Sequence, residues 1–278
     1  MNEDSKSGWP IEDISELTRQ LKNEERRPII GWFSIDNQDF VFSTDTAPQR
    51  VPDICGIAFC MRGSADIAMD GRKFHSLSKA LDLVKPYDEN FYKIITNVCL
   101  DIFNQFAPKF IYAFSDEISI LLDEIPFSGR VEKINSVFAS LASSSFTYNL
   151  LNDYSNEFNL DNLSDNERKI VFPISFDSRI IPVGDGDILD YFRWRQEDSH
   201  RNSLNAHCYW MLRKEGFSAN DAQKRIAGIS NVDKRAMLAS AGIEYDVLPS
   251  WQKHGVGIYF KEAEKTGYNP KTHETVKY

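Results

Sequence analysis

The chain has 278 residues, 42% hydrophobic and 26% charged, and a formal net charge of −9. That composition suits a globular protein of one large or two modest domains, and no stretch approaches the ~18 apolar residues that a membrane span needs. The acidic balance argues against indiscriminate binding to phosphate backbones, while leaving room for a local basic patch that serves one nucleic acid.

Met1–Gly8 is polar and acidic, without the charged-then-apolar pattern of a secretory leader, and predicts a cytoplasmic protein. A helix is expected from Ile11 to about Asn23, with Ile11, Ile14, Leu17 and Leu21 at helical spacing. Pro28–Asp36 reads as a buried strand ending in an acid, with Gln38–Ser43 as its continuation or hairpin partner. Ile54–Met61 is a further apolar run, and Ala65–Met69 a short one leading into Asp70. Lys85-Pro-Tyr-Asp88 turns into a helix from about Glu89 to Gln105, whose Phe91, Ile94, Ile95, Val98, Ile102 and Phe103 share one face.

Lys109–Leu122 is two apolar strands around a polar turn, a β-hairpin with Asp116 and Glu117 at or near its tip. Residues 128–151 predict a helix rich in Ser and Ala, and residues 152–169 a polar excursion or mobile loop. Val171–Ile181 returns as strand. A long helix then runs from Ile188 to about Glu215, and shorter ones follow from Ser218 and over Asp233–Ser240. Gly255–Phe260 is a closing strand, followed by a loose polar tail. The four cysteines, Cys55, Cys60, Cys99 and Cys208, lack zinc-site spacing and are read as buried thiols.

The order strand–helix–hairpin–helix–strand is βαββαβ, an α+β, ferredoxin-like palm of the kind found in polymerases and nucleotide cyclases. Two stretches bear on chemistry. Asp70-Gly71 places a carboxylate at the end of one strand beside a residue that lets the backbone turn and approach a ligand. Ser115-Asp116-Glu117 places two more at the hairpin tip. With those strands adjacent, Asp70 and Asp116 could share Mg²⁺, which favours hard oxygen ligands from few protein groups. Asp36 is an alternative first ligand.

Asp70-Gly-Arg-x-Phe-His-x-x-Ser, Lys85-Pro-x-Asp88, Ser115-Asp-Glu117, Arg130-x-x-Lys133 and Phe176-Asp177-x-Arg179 occur in that order. They are followed by Tyr191-Phe-x-Trp-Arg-Gln-x-Asp198-x-His200-x-Asn202-x-x-Asn205 and Trp251-Gln-Lys-x-Gly255. Together these motifs, from about residue 65 to 260, resemble the tRNA-histidine guanylyltransferases and related reverse (3′-to-5′) polymerases. The resemblance implies a nucleotidyltransferase that activates and extends the 5′ end of tRNA with ATP and GTP, adding G to tRNA-His or repairing truncated ends. It implies two Mg²⁺ ions held by Asp70, Asp116 and the Gly71 carbonyl, about 3.5–4 Å apart as in two-metal sites, with Glu117 near the chemistry. Nucleotide contacts are expected from Arg72, Lys73, Phe74, His75, Lys85, Asp88, Ser115, Arg130 and Lys133, with Leu83 and Val84 along the base. RNA contacts are expected from His200, Asn202, Asn205, Lys234 and Lys253. A homotetramer or dimer is implied, and no membrane.

The expected organisation is an N-terminal extension with extra strands (1–62) and a palm catalytic domain (63–182). A C-terminal helical RNA-handling region that completes the palm (183–260) and a polar tail (261–278) follow. Two other readings compete: a palm-fold cyclase or oligonucleotide-signalling enzyme, and a catalytically inactive RNA-binding relative.

Overall fold

The computed structural model describes residues 27–31, 65–122, 124–183, 187–261, 266–269 and 274–277. The expected helix at 11–23, the strands at 38–43 and 54–61, Asp36, Cys55 and Cys60 lie outside them.

The main sheet has six antiparallel strands in the order β1-β6-β3-β4-β2-β5. They are β1 (Arg27–Gly31), β2 (Ala65–Gly71), β3 (Phe110–Phe114), β4 (Glu117–Leu122), β5 (Phe176–Pro182) and β6 (Val256–Lys261). Four of them, β2 to β5, carry the βαββαβ connectivity, with α2 (Glu89–Phe106) between β2 and β3 and α3 (Val131–Asn152) between β4 and β5. The C-terminal β6 then extends the sheet beside β3.

Alternation along each strand sorts side chains to two faces. Ile67, Met69, Ile111, Ala113, Ile118, Ile120, Phe176 and Ile258 pack with α2 and α3 in the larger core. Phe110, Tyr112, Phe114, Leu121 and Tyr259 point the other way, against Tyr191 and Phe192 of α5 (Ile188–Lys214). The second half of α5 forms a separate core with α6 (Ala219–Ile226), α7 (Asn231–Ser240) and Tyr245. Cys99 and Cys208 are buried free thiols, as read from the sequence.

Three differences from the sequence reading have local causes. Phe74–Ala80 forms a helix, α1, directly after β2; its seven residues are too few to show a period. Residues 152–169 are not a loop: Phe158 and Leu160 are buried, and Ser164 and Glu167 form a capping box that starts α4 (Asp165–Val171). Val171 therefore ends a helix, and the strand begins at Phe176. The tail read as loose contains an antiparallel pair, β7 (Thr266–Asn269) and β8 (Glu274–Lys277).

Candidate functional site

β2 is hydrogen-bonded on both sides, to β4 and to β5, so its last residues emerge between those two strands at one end of the sheet. Met69 pairs with Ile118 and with Ser178, and Asp70 pairs with Asp177. Because Met69, Ile118 and Phe176 face the larger core, the neighbouring Asp70, Glu117 and Asp177 face the α5 side together. The two-residue turn between β3 and β4 adds Asp116; Ser115 takes a left-handed φ of 56° and donates its hydroxyl to Asp116 Oδ1 at 3.1 Å. Four carboxylates thus gather at that end of the sheet. Asp177 was part of a quoted motif without an assigned role; only strand pairing places it opposite Asp70.

The electrostatics follow from that crowding. Asp116 is pushed up to about 6, first by burial and then by the charges of Asp70 and Glu117. Asp70 is also raised, by partial burial and by Glu117 and Asp177. No cation offsets the shift of Asp116, and at Asp70 the Arg179 charge opposes the rise only in part. Glu117 has a cation of its own: it is ion-paired with Arg195 of α5, whose side chain is 12% exposed. The resemblance puts Glu117 near the chemistry, and in the structure its carboxylate is engaged by that guanidinium.

Beside Ser115 and Asp116 opens a cleft of about 330 Å³. One wall is the first turn of α1, with Phe74, His75 and Ser78, and another is the 83–88 loop. Trp251 stacks on Tyr92 at 4.6 Å and closes the far side. The loop is held by Asp88, the N-cap of α2: Oδ1 accepts from the backbone N–H of Asn90 and Phe91, and Oδ2 from that of Val84. Leu83 and Val84 line the cleft, and Val84 stays 66% exposed, an apolar surface offered to the cavity. Lys85 donates to Ser78 Oγ at 2.9 Å and lies 5.7 Å from the Trp210 ring centre; burial lowers its pKa.

The cleft therefore gathers His75, Lys85, Asp88 and Ser115 from the predicted nucleotide set. Phe74 forms part of its wall but is itself a core side chain, edge-on to Phe91, Phe146 and Phe176. Arg72 and Lys73 turn to a different cavity on the other side of α1. Arg130 and Lys133 are not brought to the cleft either. Arg130 Nε donates to the Phe127 carbonyl, and Lys133 lies over the Phe127 ring. Their neighbours Val131 and Ile134 pack at the level of Ile67, three residues before Asp70, roughly 10 Å along the strand.

The predicted RNA residues also separate. His200 is half-buried, stacked on His254 with ring centres 5.0 Å apart and within reach of Arg235 and Tyr245. Burial and the Arg235 and Lys253 charges lower its pKa. Asn202, about 200° around the helix from His200, is exposed and bonded to Asp198. Lys253 donates to the Asp246 carbonyl at 2.5 Å. Asn205 and Lys234 do meet, lining a cavity of about 400 Å³ between α5, α6 and α7 with Tyr209 and Trp210.

Comparison with known proteins agrees with this geometry. The family model described as tRNAHis guanylyltransferase matches residues 64–184, and the model of the Thg1 C terminal domain matches residues 186–277. A Dictyostelium discoideum protein named "Probable tRNA(His) guanylyltransferase" is 31% identical over 207 residues, 72% of this chain and 76% of that protein. An Arabidopsis thaliana tRNA(His) guanylyltransferase is 31% identical over 69% of this chain, which spans only 35% of that longer protein. Among solved structures, the tRNA(His) guanylyltransferase of Saccharomyces cerevisiae superposes with a TM-score of 0.64 at 25% identity, covering 73% of this chain and 89% of that one. A bacterial tRNA(His) guanylyltransferase-like protein in complex with ATP superposes with a TM-score of 0.57 at 26% identity, covering 72% and 81%.

Proposed function

Because this chain belongs to the tRNA(His) guanylyltransferase family of nucleotidyltransferases, we propose that it adds nucleotides to the 5′ end of tRNA, using ATP and GTP at the cleft beside Asp116. The observation that carries the reading is the convergence of Asp70 and Asp116 at one end of the sheet next to a cavity with an exposed apolar wall. The complex of a relative with ATP supports the nucleotide.

The donor set fits Mg²⁺. Asp70, Asp116 and the Gly71 carbonyl offer hard oxygens; the Asp70 charge raises the pKa of Asp116, and Glu117 and Asp177 raise that of Asp70, a crowding of negative charge that a divalent cation would relieve. Among the described residues no group of three or more His, Cys, Asp or Glu is arranged to hold a metal, so phosphates and water complete the shell. When bound, such an ion polarises a phosphoryl group and lowers the pKa of an attacking hydroxyl. The chain's own residues then do three things. Leu83 and Val84 hold the base against the apolar wall. Lys85, His75 and Ser115 present charge and hydrogen-bond donors toward the phosphates. Arg195 fixes Glu117 so that the hairpin tip, and with it Asp116, stays in place.

Residues 63–182 are the proposed palm catalytic unit and 183–260 the RNA-handling region, with Asn205 and Lys234 as RNA contacts. The family likeness extends the proposal to a dimer or tetramer in the cytoplasm. No helix among the described residues is long and apolar enough to cross a membrane.

The test is incubation with Mg²⁺, ATP, labelled GTP and either tRNA lacking its first 5′ nucleotide or full-length tRNA-His. Label at the 5′ end supports the reading and tells repair from tRNA-His addition. Cyclic or oligomeric nucleotides formed without RNA, or no label with either RNA, would overturn it.

A further inference from the structure

The turn that leaves β2 separates two cavities. Phe74, His75 and Ser78 face the nucleotide cleft, whereas Arg72, Lys73 and Ser76 line a second cavity of about 390 Å³. The fork arises because Lys73 takes a left-handed conformation (φ 62°, ψ 23°) ahead of α1, while the Arg72 amide is pinned to the Ser175 carbonyl at 2.9 Å. Lys169, in the last turn of α4, closes the cavity from the opposite side.

Its electrostatics are one-sided. Arg72, Lys73 and Lys169 are all exposed and form no ion pair with another described residue, and no Asp or Glu lines the cavity. Three convergent cations in a chain of net charge −9 repel one another and have no acidic partner among the described residues. An anion relieves that repulsion, and the Ser76 and Ser175 hydroxyls add donors of the kind phosphate oxygens accept. The position is equally specific. Arg72 lies two residues from Asp70, within about 7 Å along the chain, so the cavity adjoins the carboxylate site by way of the turn it shares with the cleft.

We propose that this cavity binds a run of phosphate groups whose end reaches the Asp70–Asp116 site. The inference rests on the 5′-end transferase reading. The phosphates come either from the RNA backbone or from the triphosphate of a second nucleotide, and the chemistry at Arg72, Lys73 and Lys169 is the same for both.

Lys169, outside the cleft, is the residue to change, and binding is the readout because it does not require turnover. Wild type and the full-length Lys169→Glu and Lys169→Gln variants are titrated at several salt concentrations with 5′-truncated tRNA and, separately, with inorganic tripolyphosphate. Lys169→Glu is expected to weaken one of them fivefold or more. For RNA, Lys169→Gln is expected to flatten the plot of log affinity against log salt by about 0.7–0.9, one phosphate contact. A loss confined to RNA identifies the backbone, and a loss with tripolyphosphate identifies the nucleotide tail. Unchanged binding of both by Lys169→Glu, in protein whose melting curve matches wild type, overturns the proposal. The two readings fail separately: wild type that labels RNA, with Lys169→Glu binding both ligands as wild type does, refutes the cavity alone. Lys169-dependent binding by protein that labels no RNA refutes the transferase reading alone.

Discussion

Replacing Gly71 with alanine probes how the core and the site share one turn. A Cβ built on Gly71 would lie 2.4 Å from Phe74 Cδ2, 2.6 Å from Cε2 and 2.7 Å from Cγ. Contact at Cγ means that a χ2 flip cannot clear the clash; the whole ring has to move. Phe74 is 6% exposed and makes edge contacts at 5.8, 5.3 and 5.1 Å with Phe91, Phe146 and Phe176. Inserting a methyl into a filled core typically costs about 1–3 kcal/mol, and losing a core Phe outright about 3–5 kcal/mol. Partial expulsion of Phe74 should fall between, at roughly 2–4 kcal/mol. Urea unfolding measures it as a lower midpoint at unchanged m. The mechanism is tested by the double variant: with Phe74→Leu the obstacle is shorter, so Gly71→Ala should cost at least about 1 kcal/mol less than in wild type. Gly71→Ala within about 0.5 kcal/mol of wild type, or strict additivity with Phe74→Leu, would refute the reasoning.

Further outcomes follow from the same contacts. Arg195→Met leaves Glu117 without its cation and should destabilise by roughly 1–3 kcal/mol, below the figure for a fully buried pair because the Glu117 side chain is 38% exposed; a double-mutant cycle with Glu117→Gln measures the coupling. Asp88→Ala removes the N-cap of α2 and the tie to the Val84 amide, costing about 1 kcal/mol and raising KM for nucleotide more than it lowers kcat, whereas Asp88→Asn, with one acceptor oxygen left, should retain the cap and its stability but still raise KM through loss of the Val84 tie. His207 is 6% exposed, its Nε2 has no partner among the described residues, and burial lowers its pKa to about 4. The unfolded chain, with His near its usual 6.5, therefore binds the proton first. This group costs nothing above pH 6.5, and stability falls by about 3 kcal/mol between pH 6.5 and 4. His207→Phe should flatten that limb of the stability–pH curve, and an unchanged limb would refute the assignment.

The palm was legible because its elements are long and strongly periodic. Ile94, Ile95, Val98, Ile102 and Phe103 announce α2, and the Lys109–Leu122 hairpin declares itself by its polar tip. Asp70 and Asp116 were legible for a related reason, each ending an apolar run at a turn. What stayed hidden depends on pairing across the chain. The place of Asp177 opposite Asp70 follows from β5 register, and the hold of Arg195 on Glu117 from α5 crossing the second face of the sheet. The separation of Arg72 and Lys73 from His75 turns on one left-handed residue, Lys73, which no charge pattern signals. His200 and Asn202 looked like one grip in the motif, yet two residues along a helix point to different sides.

The most direct test of the central claim compares Asp116→Asn with wild type in two measurements on the same preparation, 5′-end labelling of tRNA and thermal unfolding. Asp116 is a carboxylate raised by burial and by the adjacent Asp70 and Glu117, so removing its charge should leave Tm unchanged or higher. Labelling should fall at least roughly a hundredfold, the scale of losing one group that stabilises developing charge. Labelling at the wild-type rate by folded Asp116→Asn protein would contradict the account.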